Sequence, residues 1–382
     1  MKPVAIIYSD WGPYHLARLR AFCQVVPEAQ AIGIASFDKT YSFWGKQETG
    51  ALPLEVLFPG VAFEDIPVKE QIEALHASLE GHDPASAVIA GYSQPVMRAA
   101  ARWARDRHRA SILLCVSWAG DRRRWWPKER LKGQLLRSLF DAAFVGGERQ
   151  LSYMQSLGFP RERIWKLQNV VDNDFFAEQA GVVRADEAAW RARLGLPPRY
   201  FLFVGRLIPV KNLWTLLRAY RDYRKSAGQW DLVMLGTGKE EAALKAWASA
   251  GTLPGIHWVG AKPYQELPPY YALASCLVLP STSEPWGLVV NEAEACGLPV
   301  LVSEACGCLP ELVQRGVNGY DFNPTDSTKL AELMLHTSGG NVDLTAFGEA
   351  SRRLVSCYAP EAWAFALNDC VARMAELRRT ER

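Results

Sequence analysis

The chain has 382 residues, of which 49% are hydrophobic and 22% charged, and its formal net charge is +2. That length allows two domains with separate cores, and the composition is that of a globular protein rather than a disordered or fibrous one. So small a net charge argues against general affinity for nucleic acid, and no apolar run reaches the ~18 residues expected of a membrane span. The cysteines at 23, 115, 276, 296, 306, 308, 357 and 370 show no framework spacing. Cys306-Gly-Cys308 has neither a His nor a second Cys pair beside it, so reduced thiols, no metal and a cytoplasmic setting are expected.

In chain order, the first half alternates apolar runs with helical periodicity. The opening segment reads as a first buried strand, Val4–Tyr8, and is too short in its apolar part for a signal peptide. Further strands are predicted at Ala31–Ala35, Ala87–Ala90, Ile112–Val116, Ala142–Val145 and Ile164–Lys166. Helices are predicted between them at His15–Val25, Gln94–Arg107, Lys128–Leu139 and Arg149–Leu157. Strand and helix in alternation imply a doubly wound parallel sheet. The polar stretch from about Phe175 to Arg199 interrupts the pattern and reads as a linker.

The second half repeats the theme, with strands predicted at Tyr200–Val204, Asp231–Leu235, Ile256–Val259, Cys276–Leu279 and Val300–Ser303. A last amphipathic helix, about Pro360–Arg379, has proline in its first turn. Two Rossmann-like domains facing across a cleft are expected: residues 1–178 for an acceptor, 195–358 for a donor, and 359–382 as a helix returning to the first domain.

The densest stretch is Ser281-Thr-Ser-Glu-Pro-Trp-Gly-Leu-Val-Val-Asn-Glu292, where seven residues separate Glu284 from Glu292. A buried strand precedes it, and a short helix, Leu288–Cys296, follows and stops at Gly297. The bend thus falls at a strand's carboxyl end and a helix's amino end, where open α/β sheets bind ligands and free N–H groups favour anions. At about 100° per residue, Glu292 lies about 60° from Val289 on the edge of the buried face, whereas Glu294 is expected to face solvent. Glu292 then either holds a ribose diol or pairs with a nearby arginine or backbone amide.

Three earlier strands also end in unusual loops. Gly205-Arg-Leu-Ile-Pro-Val-Lys211 sets two cations, Arg206 and Lys211, where a diphosphate would be neutralised as its bond breaks. Gly236-Thr-Gly238 is half of a dinucleotide fingerprint, with Glu241 in place of the third glycine. Val259-Gly-Ala-Lys-Pro-Tyr264 is either a seat for a nucleobase or a plain connection. An NAD-dependent oxidoreductase would need a complete Gly-x-Gly-x-x-Gly after a first strand, and neither half has one.

Together with Gly297-Leu-Pro-Val300 and Gly307-Cys-Leu-Pro-Glu311, these motifs resemble the retaining nucleotide-sugar glycosyltransferases of family four ("group 1"), which have the GT-B fold. Asn169-Val-Val-Asp172 resembles the family as well. The resemblance implies that Arg206 and Lys211 bind the donor diphosphate, that Glu284 contacts the donor sugar and that Glu292 holds the ribose hydroxyls. The backbone of Trp286, Gly287 and Leu288 would meet sugar and phosphates, with Gly205, Gly236 and Gly238 lining the donor site. It also implies a metal-independent enzyme without a cofactor, moving sugar from a UDP- or GDP-sugar to a hydroxyl acceptor in polysaccharide, glycolipid or glycoconjugate assembly. The alternative is a catalytically weak nucleotide- or glycan-binding protein on the same scaffold.

The first domain departs from the family's pattern. Its first loop, Tyr8-Ser-Asp-Trp-Gly-Pro-Tyr-His15, offers only Gly12 where a glycine pair is usual. Gly12, Trp11 and His15 are therefore the candidates for phosphate or acceptor, against a packed Trp11 and a backbone-bonded His15. Where the family often has a histidine, this chain has Ser117-Trp-Ala-Gly-Asp121, which makes Asp121 a further candidate. From Arg98 to Arg137 twelve Lys and Arg face three acidic residues, a local balance of +9. Arginines and tryptophans in Arg122–Arg130 favour an anionic membrane, peripherally on its inner face, or an anionic glycan or lipid-linked acceptor, over a solvated basic face.

Overall fold

The computed structural model describes residues 2–39 and 49–380. The chain divides into two compact units: residues up to 119 with 123–171 and those from 359 onward, and residues 120–122 with 172–358.

In the first unit the elements run β1 (Val4–Tyr8), α1 (Pro13–Val25), β2 (Ala29–Phe37), β3 (Leu54–Ala62), α2 (Val68–His82), β4 (Ser86–Ala90), α3 (Pro95–Asp106), β5 (Ala110–Cys115), α4 (Trp126–Leu139), β6 (Ala142–Val145), α5 (Glu148–Ser156) and β7 (Ile164–Trp165). The second unit continues with α6 (Asn173–Ala185), α7 (Glu187–Leu194), β8 (Tyr200–Val204), α8 (Leu213–Lys225), β9 (Asp231–Leu235), α9 (Glu241–Ala250), β10 (Ile256–Gly260), α10 (Pro268–Leu273), β11 (Cys276–Leu279), α11 (Leu288–Ala295), β12 (Val300–Ser303), β13 (Gly319–Phe322), α12 (Ser327–Ser338) and α13 (Leu344–Ser356). The last helix, α14 (Pro360–Thr380), belongs to the first unit.

Both sheets are wholly parallel. The first has the order β3-β2-β1-β4-β5-β6-β7 and the second β10-β9-β8-β11-β12-β13. In each, the chain winds outward from a central strand in one direction and then in the other. The order reverses between β1 and β4 in the first sheet and between β8 and β11 in the second. Such reversals open a crevice at the strands' carboxyl ends, because the helices leaving the two central strands cover opposite faces.

The central strands are apolar throughout because helices cover both sides: every residue of β1, β5, β8, β11 and β12 is buried. Helix starts follow local chemistry. Asp172, Asp186, Asp326 and Asp343 each accept a backbone N–H of the turn they precede, which satisfies donors that the helix itself leaves unpaired. α14 is held by Trp363, whose indole donates to Gln168 at 3.1 Å and meets Phe22 and Phe144 edge-on at 5.9 and 6.0 Å.

Three features depart from the sequence reading. The stretch 175–199 is largely helical: α6 buries Phe176, Ala180 and Val183, one stripe at helical spacing, and α7 follows at once. The polar residues that suggested a linker occupy its outer side. β3 and α2 complete the first unit beyond its predicted strands, and β13 adds an edge to the second sheet. β3 and β13 lie at sheet edges, where one side stays uncovered and no continuous apolar run is needed.

Candidate active site

The reversal in the second sheet is flanked by the loops leaving β8 and β11. The first carries Arg206 and Lys211, the second Glu284. Lys211 lies in a 3₁₀ turn, Pro209–Lys211, and its ammonium pairs with the Glu284 carboxylate. The two side chains are 15% and 14% exposed, so the pair is largely desolvated and each charge depends on the other. Ser281 Oγ adds a hydrogen bond to the same oxygen of Glu284 at 3.3 Å. Arg206 is exposed on the rim of its loop.

Backbone contacts hold these loops in place. Asn212 adopts φ +56°, a left-handed conformation that Asn tolerates better than most residues. Its amide donates to Pro280 O at 3.0 Å and Pro324 O at 2.7 Å, and Thr282 N–H reaches Val210 O at 2.9 Å. The β8 and β9 loops are bonded to each other, Leu207 N–H to Thr237 O at 2.8 Å and Glu240 N–H to Leu207 O at 3.0 Å.

Gly236 and Gly238 make that approach possible. A Cβ on Gly236, at φ +142°, would lie 1.9 Å from Gly205 O, and one on Gly238 would lie 2.4 Å from Leu207 O. The half-fingerprint therefore packs loop on loop and sets the position of Gly205, Arg206 and Lys211.

The bend after β11 is anchored from the other side. Gly307 N–H donates to Glu284 O at 3.0 Å, Glu284 N–H to Ala305 O at 3.2 Å, and Cys308 N–H to Trp286 O at 3.2 Å. The Trp286 side chain is interior, its indole donating to Asn291 Oδ1 at 2.9 Å and lying 5.7 Å from the Tyr358 ring. Gly287 turns the chain into α11 at φ +105°, and Leu288 is the helix's first residue.

Glu292 is fully buried, and its carboxylate accepts from the Tyr271 hydroxyl on α10. Tyr271 belongs to no motif, and only the packing of α10 on α6, which also lies against α11, brings it there. Glu294 corrects the helix-phase expectation: it is fully buried, not solvent-facing. α11 is covered by α6 and α13 in addition to the sheet, so from Val290 to Ala295 it has no solvent side. One oxygen of Glu294 accepts from Asn318 Nδ2 at 2.9 Å, and the other has no hydrogen-bond partner. Burial raises its pKa well above the ordinary 4.5, so the group is held as a neutral acid.

At the Val259–Tyr264 loop, the Tyr264 ring is stacked on Phe175 at 5.3 Å and stands edge-on to Phe176 at 5.4 Å. It is part of the packing rather than an open face for a base.

In the first unit, the loop after β1 brings Trp11, Gly12 and His15 together. Trp11 is 7% exposed, 5.0 Å from the Tyr8 ring, and sits against Gly33. Gly12 caps α1 and donates its N–H to His15 Nδ1 at 3.2 Å, while the imidazole stacks on Tyr8 at 4.1 Å. Burial, then Arg18, lowers the His15 pKa to about 3, so the ring is neutral. Asp10, which the sequence reading passed over, is buried here with its pKa raised to about 6, chiefly by desolvation. Asp121 is buried and groups with the second unit. Among the described residues no His/Cys/Asp/Glu cluster could hold a metal ion, and all eight cysteines are free.

Residues 186–353 match the family model described as glycosyl transferases group 1. The amylovoran biosynthesis glycosyltransferase AmsK of Erwinia amylovora is 30% identical over 218 residues, 54% of this chain and 53% of that protein. The O-antigen chain mannosyltransferase B of Escherichia coli is 31% identical over 243 residues, 60% of this chain and 59% of that protein. The chain thus spans somewhat over half the length of these relatives. Among solved structures, Alr3699/HepE of Anabaena in complex with UDP superposes with a TM-score of 0.73 at 16% identity, covering 98% of this chain and all of that one. Sucrose-phosphate synthase of Thermosynechococcus elongatus gives 0.74 at 17% identity, covering 98% and 99%. At these identities the likeness is one of fold.

Proposed function

Because residues 186–353 match the model of the glycosyl transferases group 1 and the chain has the GT-B fold of two Rossmann-like sheets, we propose that it moves a sugar from a nucleoside diphosphate sugar to a hydroxyl acceptor. Polysaccharide or glycoconjugate assembly is the setting that fits the named roles of AmsK and O-antigen mannosyltransferase B. A UDP- or GDP-sugar is the proposed donor, and the UDP bound to Alr3699/HepE supports a site of this class.

The observation that carries the proposal is the Lys211–Glu284 pair across the reversal of the second sheet. Arg206 and Lys211 are the cations for the departing diphosphate, and the α11 amino end adds its N–H groups. Glu284, fixed by Lys211 and Ser281, orients the donor sugar. Glu292, steadied by Tyr271, accepts from the ribose hydroxyls. The sugar's bond to the phosphate oxygen breaks as the acceptor oxygen bonds to the anomeric carbon on the same face. The acceptor's proton passes to the departing phosphate oxygen, so configuration is retained with no separate protein base and no metal. Gly12, Trp11 and His15 in the first unit, and Asp121, which groups with the second, are the proposed phosphate or acceptor residues, with a glycan or lipid-linked acceptor and peripheral membrane contact near Arg122–Arg130.

A thermal-shift panel of nucleoside diphosphates and their sugars tests this reading, since a ligand that binds the folded state raises its melting temperature by mass action. One nucleoside diphosphate and its sugar should stabilise the protein. No shift with any of them, at concentrations that saturate a micromolar site, would overturn the proposal.

A further inference from the structure

Of the large apolar side chains exposed in this protein, four fall in one short stretch: Trp125, Trp126, Leu131 and Leu135, at 62%, 70%, 66% and 40% exposure. Two adjacent tryptophans this open are unusual, because the indole is a large apolar surface that folding normally removes from water.

α4 explains how they come to be exposed. Gly133, Leu136 and Leu139 are buried and turn one face of the helix inward. At about 100° per residue the exposed positions Trp126, Lys128, Arg130, Leu131 and Leu135 spread over about 200° of the helix, with Gln134 and Ser138 between them. The exposed arc holds apolar groups and cations around these two polar residues, with no exposed carboxylate among them. The acid of this helix, Glu129, is turned inward against Lys132 at 2.8 Å and Arg124 at 3.5 Å.

The tryptophans are held out by a framework. Arg124 donates to Ala119 O at 3.2 Å and also to Trp118 O, and its guanidinium lies 4.0 Å above the Tyr153 ring. Tyr153 and Lys132 both meet Glu129. The chain just before Trp125 is therefore tied to α4 and α5, and the exposure of the indoles is not a matter of a loose end. Lys128 Nζ lies 5.6 Å from the Trp125 ring and the Arg130 guanidinium 6.0 Å from the Trp126 ring, so each cation sits beside an indole.

We propose that the outer face of α4, with Trp125 at its start, is a docking surface for an anionic lipid membrane. Indoles favour the zone between headgroup and acyl chain, and long basic side chains can lay their stems along apolar groups while their charges stay at phosphate level. Apolar insertion and charge attraction together give stable peripheral binding where either alone is marginal. A protein partner would sooner meet an apolar centre with charges at its rim, whereas here the cations are interleaved with the apolar groups.

The test is co-sedimentation of the full chain with vesicles of phosphatidylcholine alone or mixed with phosphatidylglycerol, at low and physiological salt. The protein should pellet with the anionic vesicles, less so as salt rises, and stay in solution with the neutral ones. Lys128→Gln/Arg130→Gln should weaken partition roughly thirty-fold, given the worth of two charges at an anionic surface. Trp125→Ala/Trp126→Ala should abolish stable pelleting, with melting temperatures confirming that both variants are folded. If the tryptophan variant melts early, the charge variant decides alone. The proposal is overturned if wild-type protein ignores anionic vesicles or if both variants bind as it does. It is equally overturned if the protein pellets without lipid through a self-association that the tryptophan variant removes. Because partition requires no sugar transfer, this result is independent of the donor and acceptor.

Discussion

Gly236→Ala probes the contribution of loop packing to the site, because Gly236 offers no side chain to a ligand and an added Cβ would meet the neighbouring loop. A Cβ there would stand 1.9 Å from Gly205 O, where real contacts essentially never fall below 3.0 Å. Restoring even that separation moves one backbone segment by roughly 1 Å, since hard-core repulsion cannot be absorbed at such a distance. The φ of +142° adds strain of about 1–3 kcal/mol for a residue with a Cβ. The segment that must move carries Arg206 and Lys211, and a misplacement of about 1 Å in a positioning element can lower turnover on the order of 100-fold. Gly181 is the control: it lies in α6 with nothing within 4 Å of an added Cβ. Gly181→Ala should be neutral or stabilise by about 0.5–1 kcal/mol. Initial rates of nucleoside diphosphate release, with the donor found by the thermal-shift panel, and thermal melts of both variants make the comparison. Gly236→Ala with turnover within a factor of two of wild type would refute the claim that loop approach sets the cations.

Lys211→Ala should lower kcat about 100- to 1,000-fold, as loss of a single charge-stabilising group does, with far-UV circular dichroism unchanged. Near-normal turnover would remove Lys211 from the leaving-group role. Glu292→Gln should weaken nucleoside diphosphate binding by about ten-fold or more, the worth of a hydrogen bond to a charged group; unchanged affinity by calorimetry would exclude the ribose role. Glu294→Gln concerns stability. With its folded pKa raised by burial, wild-type Glu294 binds its proton more tightly folded than unfolded. Its contribution is thus fully present below about the ordinary 4.5 and declines as pH rises above it. Glutamine can still accept from Asn318, so the variant should melt as wild type does in acid and higher at neutral and alkaline pH. A wild-type melting curve that rises from pH 5 to 8 relative to the variant would contradict the buried neutral acid.

The sequence by itself determined the two parallel sheets, since strands covered on both sides must be apolar runs, as Val4–Tyr8, Tyr200–Val204 and Cys276–Leu279 are. It also marked Arg206, Lys211, Glu284 and Glu292, because charged residues beside strand ends and glycines stand out in one dimension. The edge strands β3 and β13 left no such mark, being partly open to solvent. Helix phase identified one buried face of α11 but could not show that α6 and α13 cover the rest, and so it misplaced Glu294. Lys211 and Glu284 lie 73 residues apart, and only the adjacency of β8 and β11 makes them a pair. The same holds for Tyr271 with Glu292, and for Gly236 beneath Gly205. Periodicity records which side of an element is apolar, whereas partners across a sheet are chosen by strand order, which no local stretch of the chain encodes.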